Sequence, residues 1–300
     1  MAIIQAHSLV KKYGDFTAVD GIDFTVKKGT CTGLLGPNGA GKTTTMRMIM
    51  GLTSQTGGTL TLFGEDAATI SKNLKRKVGL VSQEDNLDPD LSVLQNLQVY
   101  GRYFGLDSAY VNDRIEKLLA FMQLTDKTHA RVNQLSGGMK RRLVIARALI
   151  NDPEFIILDE PTTGLDPQAR VLIWKSLLEL KAQGKTLLLT THYMDEAQRL
   201  CDTITIIDGG QILDTATPAD LIKQHVKGHV FEVAKPISDT TLGGLKALDN
   251  EDIGDAVLYY TDNPDKALSH MGDDTIFYHR PANLEDVFLK LTGRKLREGA

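Results

Sequence analysis

The sequence predicts an α/β fold with a largely parallel sheet, an antiparallel β subdomain at one edge, an inserted all-α subdomain, and a small C-terminal α+β domain. Three observations carry that expectation. Up to about residue 225, short apolar runs alternate with longer helical patterns; between Ser92 and Ile150 no strand pattern occurs; and from about His229 short strand patterns resume, separated by weak helical stretches.

The core strands are expected at Cys31–Leu35, Val78–Ser82, Phe155–Asp159, Thr186–Thr190 and Thr203–Ile207, where apolar residues follow one another without alternation. Phe24–Val26 and Thr59–Phe63, alternating and β-branched, belong to the antiparallel edge. Within the helical insertion, about residues 86–150, "YVNDRIEKLLAFMQL" sets Val111, Ile115, Leu118, Leu119 and Met122 on one stripe. The restart of the strand pattern, with a junction near Lys227 and Gly228, divides the chain into residues 1–226 and 227–300. The second part carries "VFEVAK", "AVLYYTD", "TIFYHR" and a terminal helical run, "LEDVFLKLTGR".

Composition is that of a globular protein, with 42% hydrophobic and 24% charged residues in 300. No apolar run reaches the ~18 residues of a membrane-spanning helix, and Met1–Val10 lacks the charged start and apolar middle of a signal peptide, so a cytoplasmic location is expected. Cys31 and Cys201 stand far apart in the chain in apolar surroundings and read as two buried thiols. The seven histidines include no pair at zinc-ligand spacing. Residues 226–300 hold 13 acids and 9 bases, which accounts for the whole net charge of −4. A balanced first part offers no basic face for nucleic acid and no polybasic membrane anchor; any membrane contact goes through a partner.

"GPNGAGKT", Gly36 to Thr43, fits a Gly, four free positions (Pro37, Asn38, Gly39, Ala40), then Gly41, Lys42 and Thr43, with Thr44 following. Glycines allow consecutive backbone N–H groups to turn inward into an anion-binding nest, and the helix starting near Gly41 adds the positive end of its dipole. The expected occupant is a phosphate chain. Lys42 would reach the β- and γ-phosphates, and the Thr43 hydroxyl would ligate Mg²⁺.

A phosphate cradle alone does not separate a GTPase switch, a small-molecule kinase and an ATPase. "FIILDEP" adds Asp159 and Glu160 at the C-terminal end of a buried strand, where ligands bind in open parallel sheets. Two adjacent carboxylates there need a cation. Asp159 is placed to hold Mg²⁺ through water, leaving Glu160 to polarise the water that attacks the γ-phosphate.

"LSGGMKRRLVIARALI" then sets Ser136, Gly137 and Gly138 at the start of an amphipathic helix, a second anion-binding helix start about a hundred residues from the first. An isolated Ser-Gly-Gly is equally an ordinary N-cap. If both starts serve one triphosphate and cannot meet within one chain, a two-fold homodimer closes each ATP between the loop of one copy and the Ser-Gly-Gly of the other.

Taken together, "GPNGAGKTT", "LVSQED", "LSGGMKRR", "ILDEP", "TTGLD" and "LLTTH", in that order and spacing, resemble the nucleotide-binding subunit of an ATP-binding cassette (ABC) transporter over roughly the first 225 residues. The resemblance implies a RecA-like P-loop NTPase core that binds ATP with Mg²⁺. It also implies that Tyr13 in "KKYG" stacks on adenine, that Gln83 ligates Mg²⁺ while sensing the membrane partner, that Asp166 lies at the dimer interface, and that His192 contacts the γ-phosphate. Met139 departs from the glutamine of many relatives, removing a polar side chain and leaving the backbone donors.

"EDNLDPDLSV", "GRYFGL", "GGMKRRLVIARALINDP" and "ANLEDVFLKLTGR" further resemble export ATPases of the ABC-2 type, among them nodulation-factor exporter subunits (NodI) and daunorubicin-resistance ATPases. These relatives imply a separate six-helix permease as partner and a place on the cytoplasmic face of the cell membrane. In them the stretch corresponding to Asn86–Gly105 borders the groove that receives a permease helix; Tyr100, Tyr103 and Phe104 would line it or belong to the core. The competing reading is a soluble ABC ATPase acting on ribosomes or DNA, disfavoured by the missing basic face. A third takes the C-terminal part as a regulatory domain, within which the acidic "DNEDIGD", Asp249 to Asp255, reads as a solvated turn.

Overall fold

The runs that are apolar at successive positions become the middle of the main sheet, because only a strand covered on both faces can bury every side chain. The computed structural model describes residues 1–272 and 275–293. Its chain falls into two units, residues 1–215 and a second that begins at Ala216.

Among the described residues, the first unit runs β1 (Ala2–Tyr13), β2 (Phe16–Lys27), β3 (Cys31–Leu35), α1 (Lys42–Ile49), β4 (Gly57–Leu62), β5 (Glu65–Asp66), α2 (Lys72–Lys75) and β6 (Val78–Val81). It continues with α3 (Val93–Tyr103), α4 (Ser108–Phe121), α5 (Gly137–Ala148), β7 (Phe155–Asp159), α6 (Pro167–Ala182), β8 (Thr186–Thr191), α7 (Met194–Leu200), β9 (Thr203–Asp208) and β10 (Gln211–Ala216). The main sheet has the order β10-β9-β3-β8-β7-β6, parallel at every pairing from β9 to β6. Residues of β3, β7 and β8 are buried almost throughout.

The edge subdomain is an antiparallel sheet, β2-β1-β4-β5. Strand β1 is not legible in the sequence, and its backbone shows why. Ser8 sits at φ 45°, in the left-handed region, and the pairing with β2 shifts register between Ala6 and Leu9, which breaks the alternation of buried and exposed residues. Ile4, Leu9 and Phe24 of this sheet share one core with Leu34, Ile157 and Leu188 of the main sheet and Met46 and Ile49 of α1.

The insertion is helical as expected. Ser92 caps α3 in a reciprocal capping box with Gln95, and Asp107 caps α4. The two helices touch at Gly101, where a Cβ would fall 2.6 Å from a Val111 methyl. Cys31 and Cys201 do not stay apart: β3 and the end of α7 bring their sulfurs to 3.8 Å, both buried and both free.

The second unit contains α8 (Pro218–His225), β11 (His229–Ala234), α9 (Asp239–Leu245), β12 (Asp249–Asp252), β13 (Ala256–Thr261), α10 (Pro264–Leu268), β14 (Phe277–Pro281) and α11 (Leu284–Thr292). Arg294, the last residue of the terminal helical run, lies outside the described residues. The unit starts earlier than the 226/227 junction read from the strand pattern, because α8 packs on α11. Its antiparallel sheet, β12-β13-β11-β14, buries Phe231, Val233, Val257 and Tyr259 against Leu245 and Ala267.

One charge arrangement corrects the sequence reading and a second adds to it. The acidic stretch is not wholly a turn: Asp249–Asp252 forms β12, with Asp249 and Glu251 paired to Lys290 and Asp252 to Lys235. On the other side Arg280 of β14 grips Asp286 of α11 through two bonds of 2.7 Å, and Asp286 is fully buried. Removing one partner of such a pair leaves a charge in the core. Arg280→Ala should therefore destabilise this unit by about 3 kcal/mol, read as lost hydrogen-exchange protection over Leu284–Thr292.

Candidate functional site

The site begins where β3 ends, and its three glycines serve three distinct needs. A Cβ on Gly36 would lie 2.1 Å from the carbonyl oxygen of Ile207 on β9, so only glycine lets the loop leave the sheet there. Gly39 adopts φ 81° and Gly41 φ 105°, conformations open to glycine, and a Cβ on Gly41 would also meet the Ala18 carbonyl at 2.7 Å. Gly41 is the N-cap of α1 and has no side chain to offer, so the first-turn N–H groups keep no internal side-chain cap.

Lys42 is buried, 5% exposed, and its Nζ donates to the carbonyls of Gly36 at 2.7 Å and Pro37 at 3.0 Å. Burial pulls its ammonium below the usual lysine value, opposed by the nearby Glu160 and Asp159 carboxylates. Thr43, exposed, points its segment to the same space. Asn38 to Thr44, with Phe16, Ala18, Gln83 and Glu160, line a cavity of about 220 Å³.

The carboxylates stand at the far wall. Asp159 Oδ1 accepts a bond of 2.5 Å from the Thr190 hydroxyl; burial pushes its carboxyl up, and the Glu160 charge pushes the same way. Glu160 holds φ 46°, a conformation uncommon for a residue with a side chain. Its N–H donates to the Thr190 carbonyl and hydroxyl, each at 3.1 Å, which fixes that turn to the end of β8. One Glu160 oxygen faces His192 Nδ1 at 3.3 Å; the other accepts from Thr163 at 3.1 Å and from the Gln83 amide at 3.5 Å. The bond with His192 holds the Glu160 carboxyl below the usual carboxylate range in spite of partial burial.

A buried glutamate anchors this wall from behind. Glu196 of α7 accepts from the Thr162 hydroxyl at 2.7 Å and from the Trp174 indole N–H at 2.9 Å, joining the segment after Glu160 to α6; burial pushes its carboxyl up.

Sequence-read residues thus separate into two groups. Asn38 to Thr44, Gln83 and Glu160 line the cavity; Gly36 and Pro37 are joined to it through the Lys42 ammonium, His192 through Glu160, and Asp159 precedes Glu160 in the chain. Ser136, Gly137, Gly138 and Asp166 do not line the cavity. Ser136 Oγ accepts from the Met139 N–H and caps α5; Asp166 accepts from the Ala169 N–H at 2.9 Å and caps α6. A Cβ on Gly138 would come 2.7 Å from that of Ala169, so the starts of α5 and α6 touch, with Gly138 buried at the contact and Ser136, Gly137 and Asp166 exposed beside it. Tyr13 is exposed with Lys11 over its ring, and it pairs across the hairpin with Phe16, which does line the cavity. Phe16, Thr163, Thr190 and Glu196 were missed as single residues, although the two threonines lie inside the motifs read and Glu196 stands four positions after His192.

A glycine loop with a buried lysine, facing a carboxylate pair across the C-terminal edge of a parallel sheet, is the arrangement of a nucleotide-binding ATPase cassette. The chain belongs to the ABC transporter family. Residues 19–163 match the model of that family, and residues 243–293 match the nodulation factor export protein NodI C-terminal domain. The chain is 50% identical to the Nod factor export ATP-binding protein I of Cupriavidus pinatubonensis, over 99% of this chain and 93% of that protein. Among solved structures it resembles an ATP-binding subunit of an ABC transporter, with a TM-score of 0.67 and 29% identity over 74% of this chain and 92% of that one. A dimeric post-hydrolysis cassette bound to ADP and Pi matches with a TM-score of 0.65 and 27% identity, over 71% of this chain and 98% of that one.

The crowding at Gly36 has a measurable consequence. Gly36→Ala is expected to destabilise the fold by about 3 kcal/mol and to weaken nucleotide binding about tenfold or more, checked by thermal melting and titration with a fluorescent nucleotide. Gly137→Ala, facing open space, should leave the melting temperature within a few degrees of wild type, on the order of 1 kcal/mol or less.

Proposed function

We propose that this chain is the ATP-hydrolysing subunit of an ABC-2 type export complex, in which closure of two copies on two ATP molecules drives a separate membrane permease. The observation that carries the reading is the Glu160 carboxylate, held between His192, Thr163 and Gln83 across the cavity from Lys42 and kept ionised at neutral pH. An ionised, oriented carboxylate can take a proton from a water aimed at a γ-phosphate.

In this reading the N–H groups of the loop and Lys42 bind the phosphates, and Tyr13 stacks on adenine beside Phe16. His192 orients Glu160 and contacts the γ-phosphate. Thr43, Gln83 and Asp159 present hydroxyl, amide and carboxylate oxygens, a donor set suited to Mg²⁺ shared with substrate phosphates. The upward push on Asp159 from burial and from Glu160 is of the kind a divalent cation offsets. Such an ion would neutralise charge on the phosphates.

Ser136, Gly137 and Asp166 are exposed and lie apart from the cavity, with Gly138 buried beside them, which supports this group meeting the nucleotide of a second copy; that a cassette resembling this chain is dimeric supports the pairing of two copies. No described helix is long and apolar enough to cross a membrane, and the relatives' name includes export, which supports a separate permease partner and a peripheral place at the membrane. Tyr103, 80% exposed at the end of α3 and edge-on to Tyr100, is a candidate contact for it.

Glu160→Gln should bind ATP with wild-type affinity and hydrolyse it about 10²- to 10⁴-fold more slowly, trapping an ATP-bound dimer visible by size-exclusion chromatography. Undiminished turnover would remove Glu160 from the base role. Lys42→Ala should raise the ATP dissociation constant by roughly 10- to 100-fold; an unchanged value by titration calorimetry would contradict the phosphate assignment.

A further inference from the structure

Strands β6 and β7 run parallel and stay paired as far as Val81 and Leu158. Beyond that point the pairing of β6 with β7 ends, and carbonyls on the segments that continue need donors from outside the sheet. A buried carbonyl without a donor is costly, so the fork has to be filled. Arg141 of α5 fills it. Its Nε donates to the Pro161 carbonyl at 2.7 Å; one terminal nitrogen donates to Ser82 at 2.5 Å and Gln83 at 3.2 Å; the other donates to Asp159 and Glu160, both at 3.0 Å. One guanidinium, 4% exposed, thus ties five carbonyls on two chain segments.

These segments carry the reacting groups of the proposed mechanism: one leads into Gln83, the other holds Asp159 and Glu160. The same helix holds the rest of the first segment, since Arg147 donates to the carbonyls of Asp85 at 3.0 Å and Asn86 at 2.5 Å, with its guanidinium over the Tyr100 ring. Helix α5 starts at the Ser136-Gly137-Gly138 surface. Hydrogen bonds from Arg141, itself 4% exposed, thus connect the helix that begins at that start to the backbone of Gln83 and Glu160.

Resting on the functional reading above, we propose that Arg141 is a positioning residue for hydrolysis: it sets the distance between Gln83 and Glu160 and makes that distance follow the position of α5. Lysine cannot replace it, because a single nitrogen with three donors does not fork across two segments.

The test is a double-mutant cycle in the full chain, with Arg141→Lys, Gln83→Ala and the combination, measuring kcat, KM and nucleotide affinity. Arg141→Lys should lower kcat about tenfold or more while KM and affinity stay within about twofold. In the Gln83→Ala background the same substitution should cost several-fold less in kcat than it does alone, because one of the two groups whose separation Arg141 sets is gone. A wild-type kcat in Arg141→Lys, additive losses in the double variant, or affinity falling together with kcat would each overturn the assignment. If the lysine variant does not fold, Arg141→Gln takes its place; failure of both to fold assigns Arg141 to stability alone and overturns the proposal. Glu160→Gln run alongside separates the two levels of inference. A fast Glu160→Gln overturns the functional reading, whereas a slow one beside a wild-type Arg141→Lys overturns the positioning role only.

Discussion

The contact on which the site depends is the approach of Gly36 to the Ile207 carbonyl. It presses the loop leaving β3 against β9 with no room for a side chain, and so settles where the following backbone turns. From there Gly39 and Gly41 take their left-handed conformations, α1 starts uncapped, and Lys42 folds back onto the Gly36 and Pro37 carbonyls. The lysine is held by the loop it serves. A cation immobilised in this way and partly stripped of water loses little freedom when an anion arrives, which is the physical content of preorganisation.

Burial also organises the opposite wall. Asp159, Glu160 and Glu196 lie within a short stretch of space where each charge is costly, and each answers differently. Asp159 shares a hydroxyl and is pushed up; Glu160 gathers three side-chain partners and is held down; Glu196 is sealed off with Thr162 and Trp174 as donors and is pushed up by burial. Divergent environments for neighbouring carboxylates are how one fold assigns them different duties.

Much of this was legible in the residues. The five core strands appear within a residue or two of their predicted ends, because buried parallel strands write continuous apolar runs. The glycine loop and the carboxylates at the end of β7 were readable as a candidate site because binding phosphate calls for particular residues at fixed spacing. What escaped reading depends on partners distant in the chain. Strand β1 was hidden by the kink at Ser8, the meeting of Cys31 with Cys201 by the strand order, and the pairing of β12 by its acidic composition, which Lys235 and Lys290 neutralise only in three dimensions. Arg141 reads in sequence as one of several bases on a helix; its value lies in carbonyls, which every residue has and no sequence marks.

The strand order has a consequence for how the chain comes to exist. The phosphate loop is carried by β3, near the beginning, yet both sheet neighbours of β3 are β8 and β9, which start at Thr186 and Thr203. The carboxylates on β7 are likewise separated from the loop by β8. A growing chain that has emerged through Glu160 already contains the loop, the lysine and both acids, but has no sheet to hold them side by side. Every pairing of β3 spans more than 150 residues, the kind of long-range closure that slows folding. Synthesis and the assembly of the nucleotide site are thereby kept in order: the cassette gains its cradle only after most of the first unit has been made.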